Sequence, residues 1–162
     1  GVCFVPVEHA GNSEASAEEA AAVAALVAEL LGRATTDLEG RPAGALTLDD
    51  ILVVAPYNLQ VKRLRDALPE GARVGTVDRF QGQESRVVIV SLCTSFGESG
   101  GRGLDFVLDR NRLNVALSRA CSLALVVGAP RLVRSPCRSV DSLLRLNRLA
   151  RLLAAPGARS PR

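Results

Sequence analysis

Two stretches of this chain gather the side chains that can do chemistry on charged ligands. Asp78-Arg-Phe-Gln-Gly-Gln-Glu84 is a polar elbow held between two apolar runs, Arg73 to Val77 and Val87 to Val90. Polar groups so placed fall at the strand ends of an open α/β sheet, where such folds take their ligands. Downstream, Asp109-Arg-Asn-Arg-Leu-Asn-Val-Ala-Leu-Ser-Arg-Ala120 reads as a helix with arginines at both ends. A guanidinium is a planar, permanently charged fork that matches phosphate oxygens. Arg112 and Arg119 are two helical turns apart and share nearly one face. Each has a plainer reading. The macrodipole alone favours a cation such as Arg119 at a helix C-terminus, and Arg112 either supports a phosphate site or pairs with Asp109.

Other chemistries lack their residues. A P-loop needs Gly-Lys-Ser/Thr, because backbone amides and a lysine cradle the phosphates. The one lysine here, Lys62, follows Val61. The glycine-rich stretch Gly97 to Gly103 has no lysine and reads as a flexible connector. The single histidine, His9, stands in a polar loop with no nucleophile beside it in sequence, which argues against a hydrolytic triad. Cys3, Cys93, Cys121 and Cys137 are far apart, without a C-x-x-C pair, so zinc is not expected. Cys3, Cys93 and Cys121 adjoin apolar runs, where free cysteine behaves as a small hydrophobe.

The elements that must position these groups follow from pattern. Val2 to Val7, Ile51 to Ala55, residues 73–77 and 86–92, and Leu123 to Gly128 read as strands. Ser16-Ala-Glu-Glu19 is a capping-box pattern opening an alanine-rich helix to about Leu31, with Gly32 as its C-cap. Arg33 to Leu46 reads as a loop. Asn58 caps a helix whose apolar positions are Leu59, Val61, Leu64 and Leu68. Helices over about 109–120 and 140–154 follow. Strands that are apolar throughout, alternating with helices, predict a parallel sheet covered on both faces. Arg145, Arg148 and Arg151 recur on the last helix, either as a solvated face or as an edge that meets phosphate.

Composition narrows the class. The 162 residues suit one domain with its own core. One Tyr, four Phe and no Trp make that core aliphatic. The net charge of +3 does not by itself announce nucleic acid. No signal peptide and no membrane-length apolar run is present, and separate cysteines fit a reducing cytoplasm. The start without Met on a strand-like run predicts a piece of a longer protein.

With the elements in place, Asp78–Glu84 and Leu113-Asn-Val-Ala-Leu-Ser-Arg-Ala120 resemble, almost letter for letter, motifs V and VI of superfamily 1 helicases. The similarity is to the 1B branch that includes the RNA-decay helicases and the RecB-like nuclease–helicase fusions. Ala55-Pro-Tyr-Asn-Leu-Gln-Val61 resembles motif IV, although Val61 stands where many members carry arginine, which leaves that phosphate contact to Lys62 or Arg63. The resemblance is clearest from Ile51 to Gly128, compatible from Val2 to Leu31, and nearly silent after Pro130.

The resemblance implies an α/β, RecA-like P-loop NTPase fold: the second, C-terminal motor domain, over residues 1–155, with a disordered tail, 156–162. It implies that ATP and magnesium (Mg2+) are held between two RecA-like domains, mainly by the N-terminal RecA-like domain of the same parent chain. Arg119 is then the arginine finger. Gly82 approaches the γ-phosphate, Glu84 takes the ribose hydroxyls, and Tyr57 lies near the base or ribose. Gln60 belongs to the same nucleotide-binding set and anchors the following helix, and Arg112 backs the phosphates. Asp78, Gln81 and Gln83 couple the ATP cleft to the strand track. Thr76 contacts the backbone of single-stranded nucleic acid, DNA sooner than RNA. Alone, the chain should hydrolyse nothing. Plainer roles stay open: a salt bridge from Glu84 to Arg86 or Arg79, ordinary strand packing for Thr76, and simple packing for Tyr57. The rival function is a non-catalytic nucleic-acid-binding or scaffolding module of a nuclease–helicase fusion.

Overall fold

The computed structural model describes residues 1–37, 39–80, 82–95, 106–137 and 139–154. The stretch Gly97 to Gly103, Gln81 and the tail 156–162 lie outside the described residues. In chain order the elements are β1 (Val2–Pro6), α1 (Ala17–Leu30), β2 (Ala34–Thr36), β3 (Pro42–Ala45), β4 (Ile51–Val54), α2 (Asn58–Ala67), β5 (Arg73–Gly75), β6 (Ser85–Ser91), α3 (Arg110–Ser118), β7 (Ala120–Gly128) and α4 (Val140–Leu153). Five strands form one sheet in the order β1-β7-β6-β4-β5, with every neighbouring pair parallel. This is the parallel α/β sheet that the apolar strands predicted, and it is consistent with the RecA-like fold that the resemblance implied.

Alternation along the strands sorts the core into two halves. Leu52, Val54, Val88, Val90 and Val126 face one way, where they pack with Ala116 of α3 and with Leu146 and Leu149 of α4. Ile51, Val53, Val87, Ile89, Leu125 and Val127 face the other, against Ala20, Val23 and Val27 of α1 and Val61 and Leu64 of α2. A strand buried on both faces needs no polar alternation, which is why these runs read as continuously apolar.

Three local expectations are corrected. Residues 33–46 are not a plain loop: β2 and β3 pair antiparallel as a hairpin, and the Arg86 guanidinium reaches it, bonding Thr35 and the carbonyl of Ala43. Asn58 is the first helical residue of α2, and the N-cap is Tyr57, which makes no side-chain capping bond. Leu59 points outward, 58% exposed, rather than into the core. Two helix ends follow their caps: Asp109 accepts from the Arg112 amide at 3.0 Å, and Ser139 from that of Ser142 at 3.1 Å.

The capping box at α1 is split. Ser16 Oγ accepts from the Glu19 amide at 3.1 Å, as a cap should, but the Glu19 carboxylate does not reach back to Ser16. Gln60 Oε1 accepts from the Ser16 amide instead, at 2.8 Å. Glu19 is fully buried and accepts from Ser91 Oγ at 2.6 Å, from the Cys93 amide at 2.9 Å and from His9 Nε2 at 2.8 Å.

Candidate nucleotide and nucleic-acid sites

In a parallel sheet all strands start at one edge and end at the other, and the expected site residues divide between the two. At the amino edge, Ser85 pairs with Ala120, and its amide donates to the Arg119 carbonyl at 2.9 Å. That bond sets the end of the polar elbow beside the end of α3. Glu84, the last residue of the elbow, is exposed and meets Cys121 Sγ at 3.8 Å. It pairs with neither Arg86, which turns to Asp50 at 3.5 Å, nor Arg79. Gly82 sits at φ +80°, and a Cβ there would meet nothing within 4 Å. The backbone conformation, not crowding, favours glycine here, and the space before it is open.

Arg119 closes α3 as its C-cap. Its Nε bonds the Val115 carbonyl at 3.3 Å, and among the described residues no carboxylate pairs with it. A half-buried guanidinium, an exposed carboxylate and an open glycine turn thus share one edge. The set can offer a charge-stabilising fork, a hydroxyl acceptor and close backbone approach to a phosphate.

At the carboxyl edge, Thr76 leaves β5 half-buried. It lines an open cleft of about 340 Å³ with Glu14, Pro56, Tyr57, Asn58, Leu59, Asp78, Phe106 and Arg112. Tyr57 is buried, its ring centroid 5.2 Å from that of Phe106. The Arg112 guanidinium lies 4.5 Å over the Phe106 ring and 3.7 Å from Asp78 Oδ2.

The residues expected around ATP do not form one cluster within the domain itself. The structure brings Gly82, Glu84 and Arg119 together but sets Tyr57 and Arg112 at the opposite edge, beside Thr76. Sharing a helical face did not bring the two arginines together, because α3 spans the sheet from edge to edge. Arg112 does not pair with the Asp109 carboxylate, whose Oδ2 instead lies 3.8 Å from Arg145. Gln60 is fully buried, its amide bonded to the Ser16 carbonyl at 3.2 Å and to Ser91 Oγ at 3.0 Å. It has no surface to give a cofactor, and holding α2 is what it does. Val61 is buried while Lys62 and Arg63 are exposed. Gln83 accepts from Arg73 at 2.9 Å, tying the elbow to β5. On α4, Arg148 and Arg151 are solvent-exposed, and Arg145 pairs with Asp141 at 2.6 Å.

Two features escaped the sequence reading. Phe106 completes the carboxyl-edge cleft; its rarity as an aromatic in this chain was the available signal. His9 does have a nucleophile near it in space: Ser95 Oγ lies 2.7 Å from Nδ1 while Nε2 meets Glu19. This copies the order of a hydrolytic triad. Yet Ser95 is fully buried and the side chains of His9 and Glu19 have no exposed surface, so no substrate reaches them. With the proton on Nε2, His9 donates to Glu19 and accepts from Ser95, whose Oγ accepts from the Asn12 amide at 3.0 Å. The network is closed and structural.

Comparison with known proteins settles the family. Residues 5–131 match the family described as AAA domain. The chain belongs to that family. Among curated relatives it is 36% identical over 101 residues to the putative helicase mov-10-B.1 of Danio rerio, covering 53% of this chain and 10% of the relative. It is 38% identical over 100 residues to the RNA helicase Mov10l1 of Homo sapiens, covering 57% and 8%. It is 39% identical over 92 residues to the DNA replication ATP-dependent helicase/nuclease DNA2 of Bos taurus, covering 54% and 8%. The chain thus spans about a tenth or less of each of these relatives. Family and relatives together make it a superfamily 1 helicase-type domain, as motifs V and VI implied. No helix among the described residues is long and apolar enough to cross a membrane.

Proposed function

We propose that the chain is the C-terminal motor domain of an ATP-dependent helicase of the 1B branch, working on single-stranded nucleic acid with an N-terminal RecA-like domain of its parent protein. The observation that carries this is the amino edge, where Glu84 and Arg119 are joined through the Ser85–Arg119 ladder bond and neither has an ion-pair partner among the described residues. When bound, ATP supplies the γ-phosphoryl group and magnesium offsets its charge. Both are held mainly by the P-loop domain, since this chain has no Gly-Lys-Ser/Thr.

Arg119 presents its fork to the charge that builds on the transferred phosphoryl oxygens, where such a finger contributes roughly 10³–10⁵ in rate. Glu84 accepts the ribose hydroxyls, and the Gly82 turn brings backbone close to phosphate. At the other edge the Thr76 hydroxyl donates to a phosphate oxygen of the strand, a contact that positions without reading sequence. The relatives named above include both an RNA and a DNA helicase, so they lend no support to the expected preference for DNA, and the proposal covers either strand. Four free thiols fit a reducing compartment such as the cytoplasm.

The test compares two purified proteins. The chain alone should show no magnesium-dependent ATP hydrolysis, whereas the parent protein should hydrolyse ATP and speed up when single-stranded nucleic acid is added. Turnover by the chain alone, or a parent indifferent to nucleic acid, contradicts the reading.

A further inference from the structure

Glu84 and Arg86 are two positions apart, at most about 7 Å along the backbone, a separation that an arginine side chain spans. Opposite charges this close attract, and their pair would occupy the carboxylate proposed above to take the ribose hydroxyls. They do not pair. Arg86 is drawn the other way, toward the β2–β3 hairpin and Asp50.

Three acceptors hold it there. Arg86 Nη1 donates to Thr35 Oγ1, and Nη1 and Nη2 both reach the Ala43 carbonyl at 3.4 Å. Nε lies 3.5 Å from Asp50 Oδ1. Two of these acceptors are themselves fixed. The Thr35 hydroxyl donates to the Gly44 carbonyl at 2.9 Å, so its remaining lone pairs are free to accept from Arg86. Asp50 Oδ2 accepts from the Thr47 amide at 3.0 Å and from the Thr47 hydroxyl at 2.9 Å, which leaves Oδ1 for the guanidinium.

The burial of the hairpin matches this task. It stands apart from the five-stranded sheet, and a two-stranded ribbon is marginal on its own. Within β2 and β3 the half-buried residues are Thr35 and Ala43, the two that hold Arg86, and the others are exposed.

We infer that the β2–β3 hairpin, with Asp50, is a positioning element for the nucleotide site: it holds Arg86 away from Glu84 and so keeps that carboxylate open to the ribose. The inference rests on the ribose role given to Glu84 above, and it adds Thr35, Asp50 and Arg86 to the residues that govern nucleotide affinity. Once the hold is cut, Arg86 turns to Glu84 and competes with the ribose.

The test is steady-state ATP hydrolysis by the parent protein, in low salt with saturating single strand. Thr35→Val combined with Asp50→Asn removes the hydroxyl and the charge while keeping both shapes. KM for ATP should rise by about twofold to fivefold, the scale of one exposed ion pair, while kcat holds because Arg119 is untouched. The rise should shrink at high salt, which screens exposed charges. Adding Arg86→Gln to the double change should restore KM, whereas a hairpin that only props the fold gains nothing from it. Arg86→Gln alone should leave KM near that of the parent. If the double change does not fold, Thr35→Val alone carries the comparison, with and without Arg86→Gln. Glu84→Ala is the control and should raise KM by itself. A KM unmoved by Glu84→Ala overturns the ribose reading, and the inference with it. If Glu84→Ala raises KM, three results overturn the role of the hairpin and leave that reading intact: no rise in the double change, a rise that Arg86→Gln does not reverse, or a rise in Arg86→Gln alone.

Discussion

The amide of Ser85 donates to the carbonyl of Arg119 at 2.9 Å, so the end of the polar elbow and the end of α3 belong to one ladder. The turn that carries Gly82 and Glu84 cannot move away from Arg119 without breaking it. The other end of α3 carries Arg112 to the opposite edge, about 10 Å off at a rise of roughly 1.5 Å per residue. One short helix thus joins the edge proposed for nucleotide to the edge proposed for the strand.

Thr76→Val should separate these two edges. It keeps the β-branched shape that suits the end of β5 and removes only the hydroxyl. A single hydrogen bond contributes about 0.5–1.5 kcal/mol net, so single-strand affinity in low salt should fall by about twofold to tenfold. Basal ATP hydrolysis of the parent and the melting temperature should hold. Unchanged affinity returns Thr76 to ordinary packing.

Two glycines of the elbow region should fail differently. A Cβ on Gly75 would meet Arg79 Cδ at 2.7 Å and Phe80 Cε2 at 2.8 Å, and Phe80 is buried, so Gly75→Ala forces core packing apart. Overpacking of this kind costs about 1–3 kcal/mol. Gly82→Ala meets no atoms and bears only the left-handed backbone, about 1–2 kcal/mol. Urea unfolding measures both. A neutral Gly75→Ala contradicts the packing described here.

His9→Ala should be among the more damaging single changes outside the sheet. It takes a donor from Glu19, whose carboxylate is buried, and losing one hydrogen bond to a buried carboxylate costs about 1.5–3 kcal/mol. Three donors reach the carboxylate, the other two being Ser91 Oγ and the Cys93 amide, which points to the lower end of that range. A loss under about 1 kcal/mol would show that this network contributes little.

Cysteine labelling tests the same region chemically. Burial, and then the negative charge of Glu19, push the Cys93 thiol well above its usual range, and the thiolate is the reactive form. Iodoacetamide on the folded chain should modify the exposed Cys121 and Cys137 first and half-buried Cys3 more slowly. Cys93 should react only after denaturation. Early modification of Cys93, read by peptide mass spectrometry, contradicts the burial.

Much of this was legible because it is local or repetitive. Val87–Val90 and Ile51–Val54 are apolar throughout, and that fixes a sheet covered on both faces before any tertiary contact is known. Adjacent letters likewise announced the elbow and α3. What the sequence hid depends on distance. Glu19 looks like a capping residue until Ser91 and Cys93 arrive from more than 70 positions away. Ser95 likewise reaches His9 only through the fold. Arg112 and Arg119 share a helical face, yet face alone cannot tell that α3 runs between opposite edges. The β2–β3 hairpin is short and interrupted by Gly40, Pro42 and Gly44, too little for a period-two signal.

Arg119 carries the central claim, and its removal from the parent protein tests it most directly. ATP turnover with saturating single strand should fall by roughly a thousandfold or more in Arg119→Ala, while nucleotide affinity stays within a few-fold. Arg119→Lys should fail too, because an ammonium cannot present the planar fork. Arg119→Ala turning over within about tenfold of the parent would contradict the account and give the finger to another residue.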